Sequence, residues 1–386
     1  MSISSNEHEF SWKDTVRLNV RSYSMILALL AIWGIFIFLT DGSFISARNL
    51  SMLTRQMSIT SILAVGMVLV IVAGHIDLSV GSVAGFTGAV AAILQVYYDW
   101  ETVPAIIATL LVGALIGLWQ GFWVAFRGVP AFIVTLSSML IFRGGLLLIT
   151  KGVTVSPLNP SFKFIGSGFV SPTASIALAV AATLVFVIMA ARGRKSRMDY
   201  GLPVRSTKLE AARIIGIVAL IALFTWEMVS YEGFPIPVLI LLTLAVLFTF
   251  IANNTKFGKS VYAIGGNKEA AIYSGINVKK VNTIIFVLMG VLSAIAGIVL
   301  TARLNAATTS AGTMFELDAI AAAIIGGTST LGGKGTIAGA VLGGLIMASI
   351  DNGMSLLNID YSIQTMVKGL ILVLAVWVDI ASKKKD

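Results

Sequence analysis

The chain has 386 residues, of which 57% are hydrophobic and only 12% charged, with a mean hydropathy of +0.94 and a net charge of +9. That excludes an ordinary soluble domain, which needs more polar surface. The absence of cysteine excludes disulfides and thiolate metal sites.

Several apolar stretches reach the roughly 20 residues needed to cross a hydrocarbon core of about 30 Å. In lipid each backbone group must be satisfied within its own segment, so the expected fold class is all-α, a polytopic transmembrane helical bundle. Alternating strands of the barrel type are not seen. A cytoplasmic tail over 1–22 carries Lys13, Arg17 and Arg21. The apolar run that follows, 23–40, is long for a signal-peptide core and lacks a small-x-small cleavage site, so it is read as an uncleaved first span. The next spans are expected at 57–74, 80–97, 103–124, 130–149, 173–191, 214–231, 236–253, 282–302, 317–330, 335–352 and 362–380. That makes twelve, in a range of 10–12, within a membrane domain over 23–380 and before a tail at 381–386.

The second and third spans are separated by Gly74-His-Ile-Asp-Leu-Ser-Val-Gly81. Interrupted helices are common around a translocation path. Asp77 and Ser79 either cap the third span or line such a path, and His75 either marks the boundary or joins them. Gly113 and Gly117 give the fourth span the small-residue spacing that lets helices approach closely in lipid. Arg143 lies about six residues inside the fifth span, and intramembrane charges are functional by default. Structural pairing competes equally with that role. The segment 150–172, rich in Ser, Gly and Pro, is an external connector or the lining of an entrance.

The basic loop 192–213 is expected to be irregular and solvated near anionic lipid. The loop 254–281 contains Ala263-Ile-Gly-Gly-Asn-Lys-Glu-Ala-Ala-Ile-Tyr-Ser-Gly-Ile276, a miniature helix in sequence otherwise poor in polar residues. Gly265 and Gly266 give a flexible lead-in, and Asn267 is a good N-cap. Glu269 suits the first turn, and Gly275 supplies a left-handed end. Ala270, Ala271 and Ser274 are small enough to admit a partner's surface. A helix this short is unstable alone and needs something to dock against.

The stretch Gly326–Gly335 is not a P-loop: the first glycine position is occupied by Thr328 and Gly335 replaces the magnesium-binding Ser/Thr. The chain is therefore not expected to hydrolyse ATP alone. Gly335, Gly339 and Gly343 then repeat the close-packing spacing. Asp318 and Asp351 begin and end apolar segments, and Lys368 lies within the last span. Of the 27 Lys and Arg, 20 fall in segments placed inside and 5 in those outside, which predicts that both termini are cytoplasmic. The basic excess thus reads as topology rather than nucleic-acid binding.

Together, Ile76-Asp-Leu-Ser-Val-Gly-Ser82, Phe132-Ile-Val-Thr-Leu136 with Phe142-Arg-Gly144, Tyr262-Ala-Ile-Gly-Gly-Asn267 with Ser274-Gly-Ile-Asn277, Glu316-Leu-Asp-Ala-Ile-Ala-Ala322, Gly326-Gly-Thr-Ser329 and Asp351-Asn-Gly-Met354 form a specific set. Over about 40–380 the chain resembles the permease subunits of bacterial sugar ATP-binding-cassette importers, in the ribose/xylose branch. Thr40-Asp-Gly42, Ser46-Ala-Arg-Asn49, Val376-Trp377 and the extra length near 192–235 are similar to the xylose subgroup.

The resemblance implies an inner-membrane permease that moves a monosaccharide, D-xylose or a related pentose or hexose, by alternating access. It implies a second permease copy, a periplasmic sugar-binding protein and a cytoplasmic ABC ATPase that holds ATP and magnesium, with no cofactor, metal or catalytic residue on this chain. It also places the family's coupling helix on Asn267–Gly275, with Gly266, Asn267, Glu269, Ala270, Ala271 and Gly275 as the ATPase-coupling residues. His75, Asp77, Ser79, Arg143, Asp318 and Asp351 are the pathway candidates. An ion-coupled secondary transporter is the alternative, and it requires intramembrane acidic sites and no ATPase.

Overall fold

The computed structural model describes residues 20–202, 204 and 206–383. Most of the expected tail over 1–22, Pro203, Arg205 and residues 384–386 lie outside the described residues. Among the described residues fifteen α-helices follow in order: α1 Val20–Leu39, α2 Ala47–Val72, α3 Val80–Val96, α4 Thr102–Ala125, α5 Ala131–Thr150, α6 Pro160–Ser167, α7 Pro172–Asp199, α8 Thr207–Val229, α9 Ile236–Asn254, α10 Lys256–Gly266, α11 Lys268–Tyr273, α12 Val278–Leu304, α13 Phe315–Ile325, α14 Ile337–Leu356 and α15 Tyr361–Lys383. Among the described residues, nine helices are long and apolar enough to cross a membrane, and α1 and α3 are shorter apolar helices. The chain is a polytopic helical membrane protein.

Contacts among the described residues divide them into two compact units, one within 1–27 and 169–234 and one within 28–168 and 235–386. In the larger unit α2, α12 and α14 are mostly buried, and the remaining helices pack around them. Small residues make this possible. The α-carbons of Gly113 and Gly117 in α4 face the backbone of α12 around Gly290 and Phe286 so closely that a methyl group at either would overlap a carbonyl. Gly339 and Gly343 of α14 lie in the same way against Gly326 and Ala322. The Gly113/Gly117 pair and the Gly339/Gly343 pair are therefore close-packed seams, whereas Gly335 lies before α14 against Thr328 and Val72. Polar pairs pin the register. Asn49 and Asn352 exchange amide hydrogen bonds of 2.8 and 3.0 Å, and Trp33 Nε1 donates to Ser349 Oγ at 3.0 Å.

Each expected span falls in a helix, but one differs in kind. The segment 317–330 is α13, whose eleven residues rise only about 16 Å, half a hydrocarbon thickness. The preceding 305–314 is irregular and protected by protein. Ala307 pairs with Val155, and Ala311 and Gly312 press on Gly85 and Gly81 of α3. Non-helical backbone is tolerated at membrane depth only when buried in this way. The segment 150–172 is also more ordered than its composition implies. It contains α6, and Gly166 there lies against the Arg303 backbone of α12.

In the smaller unit α7 and α8 form a hairpin. Its base is closed by Ser175 Oγ, which accepts from Phe234 N at 2.9 Å and donates to Val170 O at 3.1 Å. Contrary to the expected irregular loop, α7 continues helically through Arg192–Arg197 to Asp199. Arg192, Arg194, Lys195, Arg197 and Met198 are good helix formers and carry the helix past Gly193 once the preceding span has nucleated it.

Candidate functional site: the capped short helix and the interrupted helices

The miniature helix is present as α11. Asn267 Oδ1 accepts from Ala270 N at 2.9 Å, which caps the N-terminus. Gly275 has φ +81°, and the Gly275 and Ile276 amides bond to the Ile272 and Ala271 carbonyls at 2.9 and 3.0 Å, a Schellman end. Ala271 alone is buried, against the chain's own core. Glu269, Ala270 and Ser274 are exposed, as are Ile272 at 52% and Tyr273 at 90%. The outer face is therefore one carboxylate beside two unpaired apolar side chains. Ile272 and Tyr273 were not among the expected coupling residues, although two adjacent apolar residues in a polar loop were a readable signal.

Gly265 and Gly266 are not a flexible lead-in. They are the last two residues of α10. A Cβ on Gly265 would overlap the Val72 carbonyl, while Gly266 has open space. The first glycine is thus required by close approach and the second is not. Val72 ends α2, and its carbonyl also accepts from Gly333 N at 2.9 Å. Gly332 and Gly333, at φ +84° and +71°, turn the glycine-rich loop back onto Gly265. Tyr262 Oη donates to Gly335 O at 2.8 Å, and burial raises its phenol pKa, so it remains a donor. The end of α2, the end of α10 and the loop 326–335 therefore meet backbone to backbone immediately before α11.

Asp379 of α15 holds the far side of this loop. Its Oδ2 accepts from Thr330 N at 3.1 Å and Thr330 Oγ1 at 2.9 Å, and the residue is 1% exposed. Asp379→Ala leaves both donors without this acceptor and is expected to lower stability by about 1–3 kcal/mol. Asp379→Asn keeps an acceptor and is expected to cost well under half as much. Denaturation of the detergent-solubilised variants checks the ordering, and equal losses would contradict it.

The break after α2 leads into a buried polar network. Asp77 Oδ1 accepts from Ser79 N at 2.8 Å and Ser79 Oγ at 2.6 Å, and Gln120 Nε2 of α4 donates to Ser79 Oγ at 2.7 Å. Asp77, Ser79 and Gln120 are each 1% exposed. Ser79 occupies the N-cap position of α3 but makes no side-chain cap bond. The expected capping role is thus replaced by an Asx turn tied to α4, because the Ser79 hydroxyl is already committed to Asp77. The His75 ring packs on Phe286 of α12, with centroids 5.9 Å apart.

The remaining charges join distant helices. Arg143 Nη1 donates to Ala311 O at 2.8 Å, anchoring the irregular stretch before α13. Glu316, at 8% exposure, faces Gly81 from the other side of that stretch. Lys368 Nζ lies 3.0 Å from Asp318 Oδ2 and 2.8 Å from Asp351 Oδ2, so one ammonium links α13, α14 and α15. Asp318 and Asp351 are therefore brought together, and Asp77 and Ser79 meet in the network at the start of α3, whereas His75 packs on Phe286 instead. Gln120, Glu316 and Asp379 were not singled out from sequence. Nothing in the chain's linear pattern pairs them with their partners.

A family model described as "Branched-chain amino acid transport system / permease component" matches residues 49–376. The chain is 47% identical to the xylose transport system permease protein XylH of Haemophilus influenzae, over 95% of this chain and 98% of the relative. It is 47% identical to the XylH of Escherichia coli strain K12, over 96% and 94% respectively. Identity to the ribose import permease protein RbsC of that strain is 36%, over 92% of each chain. No solved structure matches.

Proposed function

The chain belongs to this family of transport-system permease components, and from that premise we propose that it is the membrane-spanning subunit of an ATP-driven importer of xylose or a related monosaccharide. It is a multi-pass protein of the inner membrane. The observation that carries the reading is end-to-end likeness to xylose permeases, and the exposed, doubly capped α11 agrees with it. ATP and magnesium bind to a separate cytoplasmic ATPase that docks on α11. A periplasmic protein delivers the sugar, and a second copy of this chain completes the pathway. Both termini face the cytoplasm.

The junction of Val72, Gly265 and Gly333 gives the mechanism a physical route. A push on α11 moves α10, whose end bears on the end of α2 and on the glycine-rich loop between α13 and α14. Backbone–backbone contacts have no flexible side chain to absorb displacement. On this reading the two interrupted segments are the elements that move during alternating access.

Affinity purification of the tagged chain from its native membrane is expected to retain a cytoplasmic ATPase. Recovery of a transport-competent chain with no ATPase would contradict the proposal.

A further inference from the structure

The basic end of the α7–α8 hairpin has no part in the coupling route. Arg194 and Arg197 stand one helical turn apart on α7, just beyond its apolar stretch, and Arg213 stands where the apolar stretch of α8 begins. With Met189 and Glu210 these side chains line a cavity of about 360 Å³. Three arginines and one glutamate contribute to its lining, and Glu210 lies 3.4 Å from Arg213. Arg194 Nη2 donates to Thr207 Oγ1 at 3.0 Å, which ties the two helices together across the cavity. The planar fork of arginine matches a phosphate oxygen pair.

The surroundings identify the source of that phosphate. Met189, 67% exposed, forms part of the wall, and Val185, 56% exposed, lies one turn further along the same face of α7. An uncovered apolar strip therefore runs directly out of the basic cavity. A free phosphate has no use for such a strip, whereas an acyl chain covers it. We propose that Arg194, Arg197 and Arg213 bind the phosphate of an anionic phospholipid, whose chains lie along α7.

The test uses the full chain in vesicles of phosphatidylcholine mixed with phosphatidylglycerol, with mild extraction and mass spectrometry of the retained lipid. The wild type is expected to enrich phosphatidylglycerol by about tenfold over its share of the vesicle. The triple variant R194Q/R197Q/R213Q is expected to show no enrichment. R194K/R197K/R213K keeps the charge but loses the fork, and is expected to lose most of the enrichment. This variant decides the matter if the glutamine protein aggregates. Enrichment that survives in the glutamine variant, or is undiminished in the lysine variant, would overturn a built guanidinium site. So would displacement of the lipid by inorganic phosphate, which would assign the cavity to a soluble anion.

Discussion

Glu269→Arg is expected to abolish sugar-stimulated ATP hydrolysis in the reconstituted transporter while leaving the permease folded. Glu269 is exposed in the first turn of α11 and makes no hydrogen bond that holds the helix. The helix is instead fixed by the Asn267 cap, the Gly275 turn and burial of Ala271, none of which the substitution touches. Its own cost is the lost interaction of a carboxylate with the helix N-terminus, about 0.3–1 kcal/mol. At the ATPase interface proposed above, by contrast, charge reversal is expected to bring like charges together, which across an interface costs several kcal/mol. Basal ATPase activity, measured with the sugar-loaded binding protein absent and present, separates docking from folding. Undiminished stimulation would remove α11 from the coupling route.

Lys368→Met is expected to have a comparable effect for a different reason. Lys368 is the shared cation of Asp318 and Asp351, and both carboxylates sit among packed helices. Removing it strands the buried Asp318 and the half-buried Asp351 without their cation, a change approaching the about 3–5 kcal/mol of a broken buried pair. That is a large share of the roughly 5–15 kcal/mol by which native proteins are stable. Little monodisperse protein should survive extraction, as read by fluorescence-detected size exclusion. The triple variant D318N/D351N/K368M removes the charges together and is expected to recover most of the yield. A well-folded Lys368→Met protein that fails only in transport would instead place the triad in the pathway.

Much of this architecture was legible because lipid enforces a simple rule. A helix must be apolar over most of its length, so composition alone marked the segments that became α1 to α5, α7 to α9, α12, α14 and α15. The rule misread α13. Apolar sequence continues through Ile325 into Gly326, and hydropathy cannot distinguish a half-helix shielded by neighbouring protein from a short span. The caps of α11 were readable because they are local: Asn267 and Gly275 act on amides within a few residues.

The partners of the charged residues were not readable. Arg143 reaches Ala311, Lys368 reaches Asp318, and Thr330 reaches Asp379, across separations of 168, 50 and 49 residues. Those pairings follow from helix packing, which a linear pattern does not contain. Gly265 illustrates the same limit. A glycine beside a cap looks like a hinge in sequence, whereas here it is the place where three backbone segments touch.

The most direct test of the central claim is uptake of labelled xylose into proteoliposomes containing this chain, its ATPase and its sugar-binding protein. Uptake is predicted to require ATP together with all three components, and to persist when ion gradients are collapsed. Uptake that proceeds without the ATPase and stops when an ion gradient is removed would contradict it.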